Sequence, residues 1–279
     1  MKARKLVLKD FRNITDAVLC FNDGVNIIVG ENAQGKTNII EALWMMSAGK
    51  SFRGIKEKET IKFGSDNALV SLDYEYSDRE YELLFRLFND KTKEIYLNGV
   101  RKSKVSEIIG CFFAVLFTPM HLSLIKDGPS ERRRFIDTAL CQLKPSYLKQ
   151  LNLYNRLMDQ RNSLLKQIRD KGRDKNELDV WDSRLSVEGA KIIRQRKLYL
   201  RRLEKYATEE HKLISDGKEA LKLNYLTLSG HADMYVNNLE GEDEICGNGE
   251  LFEKTGDSLS ELENNLYTRL LPGRDRDIR

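Results

Sequence analysis

The stretch Gly30-Glu31-Asn32-Ala33-Gln34-Gly35-Lys36-Thr37 decides how this sequence is interpreted. It matches the phosphate-binding loop pattern G-x-x-x-x-G-K-T, whose glycines let backbone N–H groups approach phosphate oxygens closely. In this pattern the lysine reaches the β and γ phosphates, and the threonine hydroxyl binds Mg²⁺. Lys36 and Thr37 are therefore the expected phosphate and metal ligands, and the chain is predicted to bind a nucleotide.

The residues on either side of the loop supply the structural context that the pattern requires. The β-branched run Val25 to Val29 predicts a strand, and Asn38 to Ala48 predicts a helix. The apolar positions expected to bury that helix are Ile39, Ile40, Leu43, Trp44 and Met46. A strand, a glycine loop and a helix in this order place the phosphates at a helix N-terminus, which favours anions.

Composition and length restrict the class of protein. The 279 residues are 41% apolar and 32% charged, as in a folded protein of one large or two ordinary domains. The four cysteines and three histidines are dispersed, so neither a zinc site nor a disulfide framework is predicted. The N-terminus turns polar too soon for a signal peptide, and no apolar run reaches the ~20 residues that cross a bilayer. A cytoplasmic protein without membrane contact is expected.

After the predicted helix, apolar and polar residues alternate, which is the pattern of strands with one wet face. The alternation runs from Val70 to Tyr76 and from Tyr81 to Leu87. A further run, Ile95 to Leu97, ends in Asn98-Gly99, a hairpin signal. With short strands expected at Leu6 to Leu8 and Val18 to Phe21, these signals predict an α/β lobe with an antiparallel meander.

Asp73 follows an apolar run, as does the magnesium-binding aspartate of compact nucleotide hydrolases. That aspartate ends a parallel strand buried on both faces, which is continuously apolar in sequence. Ser71, Asp73 and Glu75 instead alternate with apolar residues, so we interpret all three as solvent-facing. The alternative stays open at this point: in a compact P-loop kinase or GTPase that does not act on DNA, Asp73 would hold Mg²⁺.

From about Pro119 onward, apolar residues recur at three- and four-residue steps, which indicates helices. Two amphipathic helices, Leu148 to Ile168 and Trp181 to Leu203, flank the charged break Arg169 to Glu177 and should form an antiparallel hairpin. The last part of the chain predicts a strand, an acidic loop and a helix, at Leu221 to Leu228, Asn237 to Gly249 and Leu259 to Leu271. The expected domains are an ATP-binding lobe, a helical arm and a return to the head, at residues 1–118, 119–217 and 218–279.

The net charge of +4 is segregated along the chain. Residues 126–212 hold 22 Lys and Arg against 13 Asp and Glu, whereas Glu240 to Glu263 is strongly acidic. The stretch Lys191 to Lys205 is either the solvated back of a helix or a surface for nucleic-acid phosphates, and both interpretations stay open. The candidate DNA contacts are Lys50, Arg53, Arg194, Arg201 and Arg202.

Several longer blocks resemble the RecF family of bacterial recombination mediators, relatives of the structural-maintenance-of-chromosomes and Rad50 heads. The blocks are Leu8–Asn13, Gly30–Asn38, Ser47–Arg53, Gly128–Asp137, Tyr154–Asn162 and Arg276–Arg279. This resemblance implies an ABC-type P-loop ATPase lobe with an inserted α-helical arm. It also implies ATP and Mg²⁺ as cofactors, bound by Gly30, Glu31, Asn32, Ala33, Gln34, Gly35, Lys36, Thr37 and Asn38.

The resemblance further places Arg12 against the adenine, where its planar guanidinium would make a cation–π contact. A plain surface arginine is the alternative for Arg12. For the whole protein, the family implies an ATP-dependent, DNA-binding function in DNA replication, recombinational repair and the SOS response. Such a protein would dimerise around ATP, clamp duplex DNA near gaps, and act with RecR- and RecO-type mediators to load recombinase.

Two departures from the family pattern limit what the resemblance implies about catalysis. Relatives usually carry Pro-Glu-Asp-Leu where this chain has Pro119-Met120-His121-Leu122, so no catalytic role is assigned there. Relatives also continue past Arg279 with the signature segment, the magnesium-binding aspartates and the catalytic carboxylate. We therefore expect a truncated chain that binds ATP without sustained turnover. A chromosome-organising head is a third possibility, although the helical region lacks the sustained heptads of a long coiled coil.

Overall fold

The computed structural model describes residues 1–126, 128–225 and 259–278. They belong to two compact units, Met1–Pro145 and Ser146–Arg279. Among the described residues, no helix is both long and apolar enough to cross a membrane.

The first unit is built on a six-stranded sheet whose neighbouring strands are all antiparallel. The strands are β1 Lys2–Phe11, β2 Ile14–Cys20, β3 Asn67–Tyr76, β4 Arg79–Phe88, β5 Glu94–Leu97 and β6 Val100–Lys102. Their order across the sheet is β2-β1-β3-β4-β5-β6. The antiparallel meander predicted from the alternating residues is confirmed.

The turn between β5 and β6 is the predicted two-residue hairpin. Asn98 and Gly99 both have positive φ, 50° and 74°, and Leu97 pairs with Val100 across them. Asparagine and glycine tolerate this left-handed backbone, which matches the twist of the two strands.

Helix α1, Lys36–Ala48, packs on the sheet and closes the core of this unit. Its buried apolar residues are Ala42, Met45 and Met46, which contact a cluster that includes Leu6, Leu8 and Phe11 of β1. The sequence prediction was only partly right here, because Ile40 is exposed and the buried face passes through Glu41. Two further helices follow in this unit, α2 Ser123–Lys126 and α3 Pro129–Leu143.

The predicted strand at Val25 to Val29 is wrong. The segment has no regular secondary structure and lies outside the sheet, and the side chains of Val25, Ile27 and Val29 are 87%, 81% and 83% exposed. A strand needs a neighbour to receive its backbone hydrogen bonds. Among the described residues no strand pairs with this segment, since the two edge strands β2 and β6 are hydrogen-bonded only to β1 and β5.

Ser71 is buried rather than solvent-facing, and its hydroxyl donates to the Glu82 carboxylate at 3.3 Å. This pairing comes from the β3–β4 ladder, which sets Ser71 and Glu82 within two residues of register. Asp73 lies within β3, half-buried between Lys5 and Glu82, on a strand that is antiparallel to both neighbours. This is not the end of a buried parallel strand.

The described residues of the second unit are mainly helical. It consists of α4 Pro145–Lys171, which starts at the last residue of the first unit, α5 Leu178–Ile214 and α6 Leu259–Ile278. Leu164, Leu165 and Ile168 of α4 pack against Leu178 and Trp181 of α5, so the two long helices form the expected hairpin. Short 3-10 turns occupy Glu57–Thr60, Val105–Glu107, Pro119–Leu122 and Lys175–Glu177.

Helix α6 confirms the predicted last helix and extends it beyond Leu271. At Gly189 of α5, an added Cβ would lie 3.2 Å from Leu266 and 3.3 Å from Tyr154, so the three helices approach closely at this glycine. Residues 221–225 contain no strand, and the rest of the predicted strand and the acidic loop lie outside the described residues.

An ion network ties the three long helices together. The side chains of Arg161 in α4 and Asp182 in α5 are buried and pair at 2.6 Å. Arg274 of α6 donates to the other oxygen of Asp182 at 2.7 Å, and Arg161 also pairs with Asp277 at 3.1 Å. The two buried charges of this network, Arg161 and Asp182, are therefore each paired with opposite charges.

Candidate nucleotide site

The phosphate-loop sequence forms an irregular loop that leads directly into α1. Gly30, Ala33 and Gly35 all have positive φ, at 151°, 66° and 103°. The N–H groups of Asn38 and Ile39 donate to the Gly35 carbonyl, which starts the helix. The N–H groups of Lys36 and Thr37, which come before these two, have no acceptor within the helix, so they can bind an anion at the helix N-terminus.

The Lys36 amine lies across this loop. It donates to the carbonyl oxygens of Gly30 and Glu31, both at 2.6 Å. The only side-chain cation within the loop is thus held against the carbonyls of the first two loop residues. Thr37, the expected Mg²⁺ ligand, is exposed in the first turn of α1, so its hydroxyl is accessible to a metal ion.

Asn13, in the turn between β1 and β2, contacts the loop at two points. Its Nδ2 donates to the Ala33 carbonyl at 2.8 Å, and its Oδ1 accepts from Asn38 Nδ2 at 2.8 Å. The same side chain leaves no room beside Gly35, since an added Cβ there would lie 2.9 Å from Asn13 Oδ1. A glycine is required at position 35 by both its backbone conformation and this contact.

Glu41 is a buried carboxylate one turn further along α1, and it contacts two arginines. Arg12 donates to it twice, from Nη2 at 2.6 Å and from Nε at 3.1 Å, and the Arg53 Nε lies 3.3 Å from its second oxygen. The Ser51 hydroxyl also donates to it, at 2.5 Å. Buried charges are stable only when paired and hydrogen-bonded, and Glu41 meets this condition.

Arg12 is held in one orientation. Its third nitrogen, Nη1, donates to the Glu59 carbonyl at 2.9 Å, and its backbone N–H donates to the Thr60 carbonyl at 2.7 Å. These contacts hold a backbone φ of 58°, which is uncommon for a residue other than glycine. The hydrogen bonds of a guanidinium lie in its plane, so these partners contact the edge of the Arg12 guanidinium rather than its faces.

The residues proposed from sequence for DNA contact occupy different environments. Lys50 follows α1 and is exposed, and Arg53, which is also exposed, donates to Asn38 Oδ1 at 3.0 Å and pairs with Glu41. On α5, Arg201 is exposed and Arg194 and Arg202 are half-buried. The structure therefore places Arg53 within the hydrogen-bond network of the nucleotide loop, and the α5 residues in the other unit.

Sequence reasoning missed the roles of Glu41 and Asn13. A single carboxylate inside the apolar run Ile39-Ile40-Glu41-Ala42-Leu43 was a usable signal, because an unpaired glutamate on a core face would be costly. Asn13 carried no comparable signal, since an asparagine in a turn is ordinary.

The antiparallel sheet, the glycine loop and the helix that follows it define the head of a P-loop ATPase. Residues 2–237 match the model of the RecF/RecN/SMC N terminal domain, and the chain belongs to that family.

Curated relatives named DNA replication and repair protein RecF are similar over most of the chain. The relative from Lachnospira eligens is 39% identical over 244 residues, which cover 87% of this chain and 66% of the relative. The relative from Lachnoclostridium phytofermentans is 41% identical over 228 residues, which cover 81% and 62%. This chain therefore spans somewhat less than two thirds of the length of these relatives.

Two solved structures have the same fold over 99% of this chain. One is described as the recombination mediator protein RecF-ATPrS in the RecFOR pathway, with a TM-score of 0.85, 30% identity and 68% of that chain covered. The other is described as RecF-ATP in the same pathway, with a TM-score of 0.81, 32% identity and 69% covered. The chain thus has the mixed α/β fold of a RecF ATPase head with its helical region, as the sequence resemblance predicted.

Proposed function

We propose that this chain binds ATP with Mg²⁺ through residues 30–38 and acts in DNA replication and recombinational repair. The main support for the proposal is the position of the Lys36 side chain. Lys36 is the first residue of α1, and its amine is held across the loop by the carbonyls of Gly30 and Glu31. A phosphate group bound in this loop would meet the Lys36 ammonium and the N–H groups of the helix N-terminus. Relatives whose descriptions include bound ATP support the same ligand.

Two further side chains are proposed to bind the Mg²⁺ ion and the adenine ring of ATP. The exposed Thr37 hydroxyl is an oxygen donor in the first turn of α1, which suits Mg²⁺ bound together with phosphate oxygens. Arg12 would present a fixed guanidinium face to the adenine, since Glu41 and the Glu59 carbonyl occupy its edge. When bound, Mg²⁺ neutralises phosphate charge, while the residues of this chain orient the nucleotide.

The activity of the whole protein is proposed from its relatives. Full-length RecF-type proteins would dimerise around ATP, clamp duplex DNA near gaps, hydrolyse ATP slowly under DNA stimulation, and work with RecR- and RecO-type partners. The curated relatives are named for DNA replication and repair, which supports this assignment. The residues of this chain proposed to contact DNA phosphates are Lys50, Arg53, Arg194, Arg201 and Arg202.

A compact kinase or GTPase unrelated to DNA is a weaker candidate. It would need Asp73 as its magnesium ligand, yet Asp73 lies inside an antiparallel strand beside Lys5 and Glu82. Replacing Asp73 with Asn should leave Mg²⁺-dependent nucleotide affinity unchanged, and a strong loss would favour this second candidate.

The first experiment is a titration of this chain with a fluorescent ATP analogue and Mg²⁺. Lys36→Ala removes a charge-assisted contact worth about 1.5–3 kcal/mol, so affinity should fall at least about tenfold. Lys91→Ala, which removes an exposed lysine that pairs with Glu94 at 3.0 Å and lies over the Phe88 ring, is the matched control and should bind as the unaltered chain does. Equal affinity of the Lys36→Ala variant and the unaltered chain would overturn the proposal.

A further inference from the structure

The carboxamide of Asn13 joins two parts of the phosphate loop that are five residues apart. Its donor atom holds the carbonyl of Ala33, in the middle of the loop, and its acceptor atom holds the side chain of Asn38, in the first turn of α1. Both hydrogen bonds are 2.8 Å long, which is good geometry for amide groups. Asn13 itself belongs to neither part, since it lies in the turn between β1 and β2.

The loop needs this support because its backbone is in an uncommon conformation. Ala33 has φ of 66°, and alanine has no short polar side chain to stabilise the left-handed region. Such a conformation persists only when surrounding contacts hold it. The Asn13 side chain accomplishes this by a hydrogen bond to the Ala33 carbonyl. It also lies against Gly35, where an added Cβ would be only 2.9 Å from Asn13 Oδ1.

Asn13 is in turn held by a closed ring of contacts. Asn38 accepts from Arg53, Arg53 lies against the Glu41 carboxylate, and Glu41 accepts from Arg12. Arg12 and Asn13 are consecutive residues, so the peptide bond between them closes the ring. The side chain that supports the loop is therefore anchored through a buried carboxylate rather than free in a surface turn.

We propose that Asn13 is a positioning residue that holds the phosphate loop in its nucleotide-ready conformation before the nucleotide binds. The inference rests on the proposed nucleotide-binding function and adds a residue outside the loop to it. A loop ordered in advance does not lose conformational freedom on binding, so its affinity for phosphates is higher. Asn13 does this through Ala33 and Asn38 and need not touch the ligand.

The test compares Asn13→Ala with Asn89→Ala by titration with a fluorescent ATP analogue. Asn89 is a matched control because its Nδ2 also donates to a backbone carbonyl of another loop, that of Ser65, at 2.9 Å. Asn13→Ala should weaken binding of ATP and of ADP about fivefold, since both ligands carry phosphates, and Asn89→Ala should not change it. Affinity of Asn13→Ala equal to that of the control would overturn the proposal.

Two further measurements separate positioning from general destabilisation. The thermal midpoint of the nucleotide-free protein should fall no further for Asn13→Ala than for Asn89→Ala, because each variant loses exposed polar contacts. A double-mutant cycle with Asn38→Ala should be non-additive, with the second substitution costing less affinity than the first. A larger fall in midpoint together with additive affinity losses would show a merely structural asparagine.

The Lys36→Ala variant separates a failure of the role of Asn13 from a failure of the nucleotide site itself. If Lys36→Ala loses binding and Asn13→Ala does not, the role of Asn13 is wrong while the nucleotide site stands. If Lys36→Ala binds as the unaltered chain does, the site itself is wrong, and the role of Asn13 falls with it.

Discussion

The buried carboxylate of Glu41 accepts two hydrogen bonds from the guanidinium of Arg12, at 2.6 and 3.1 Å, across the space between α1 and the β1–β2 turn. Glu41 has no exposed surface, and the Arg12 side chain is only 17% exposed. This pair joins the helix that carries the phosphate loop to the turn that carries the proposed adenine contact. Its geometry therefore bears on both stability and nucleotide binding.

Replacing Glu41 with Gln should destabilise the first unit. The substitution removes the charge opposite Arg12 and Arg53, and breaking a buried pair costs about 3 kcal/mol when its partners retain some access to water. Urea unfolding followed by circular dichroism measures the change. Glu75→Gln is the control, since Glu75 pairs with Arg4 at the surface, and it should leave the unfolding midpoint nearly unchanged. Equal effects of both substitutions would contradict a special role for the buried pair.

Replacing Gly35 with Ala should abolish nucleotide binding. The new Cβ would meet Asn13 Oδ1 at 2.9 Å in a residue whose φ is 103°, so the loop must move. Gly64→Ala is matched in backbone conformation, with φ of 86°, but has nothing within 4 Å of the added atom. ATP titration of the two variants is the measurement, in which Gly64→Ala should bind as the unaltered chain does, and equal binding by both would refute the steric argument.

Replacing Asp182 with Ala should unfold or loosen the second unit. Arg161 would lose its closest counter-charge inside the helices, and Arg274 would lose one of its two carboxylates, at a cost of about 4 kcal/mol. Asp170→Ala, which breaks an exposed pair with Arg169, is the control. Urea unfolding monitored by helical circular dichroism should show a lower midpoint only for Asp182→Ala.

The thiols should differ in their reactivity and in their effect on alkaline stability. Burial, together with the nearby Asp137 charge, raises the pKa of Cys141 to about 12 from an ordinary value of 9.0, against a smaller opposing effect of Lys50. Burial also raises the pKa of Cys111, whereas Cys20 is exposed. Of the three cysteines within the described residues, thiol labelling at pH 8 followed by peptide mass spectrometry should modify Cys20 first and Cys141 last. Rapid labelling of Cys141 would show that it is accessible.

The raised pKa of Cys141 also predicts how the free energy of unfolding changes with pH. The folded state holds the Cys141 proton more tightly than the unfolded state, so this contribution is complete below pH 9 and is lost as pH rises toward 12. Cys141→Ser should therefore flatten the decline of the unfolding free energy over that alkaline range. An unchanged slope would show that Cys141 titrates alike in both states.

DNA binding should depend on salt in proportion to the phosphates contacted. Each neutralised phosphate changes the slope of log affinity against log salt by about −0.9 for duplex DNA, so Arg201→Gln and Lys50→Gln should each flatten it by about that amount. Lys218→Gln, an exposed lysine that pairs with Asp216, is the control for net charge. Arg53 is a poor test residue because its substitution also disturbs Glu41 and Asn38. Unchanged slopes for Arg201→Gln would mean that the basic face of α5 is merely solvated.

Local sequence patterns predicted most of the elements. The alternation from Val70 to Leu87, the Asn98-Gly99 turn and the three- and four-residue steps on either side of Arg169 to Glu177 all act over a few neighbouring residues. The interactions that produce a hairpin turn or an amphipathic helix are contained within such a span. Predictions of this kind were therefore confirmed even without knowledge of the tertiary fold.

The sequence predictions that were wrong concern residues whose environment depends on partners far away in the sequence. The apolar run Val25 to Val29 has the composition of a strand, but strand formation requires a neighbour, and none is present among the described residues. The alternation of polar and apolar residues places Ser71 on the solvent-facing side of its strand. In the structure it is buried, and its hydroxyl donates to Glu82. The composition of a segment determines which secondary structure it favours, whereas the presence of a partner in space determines whether that structure forms.

The sequence by itself determined that this chain carries a phosphate-binding loop before a helix, because the glycine spacing and the lysine that follows are read from consecutive residues. Only the tertiary structure decided that Asn13 supports that loop and that Glu41 holds Arg12 and Arg53 beside it. These partners are separated by 12 to 29 positions along the chain. The physical reason is that a hydrogen bond depends on distance and direction in space, and the packing of α1 on the sheet alone brings these side chains within reach.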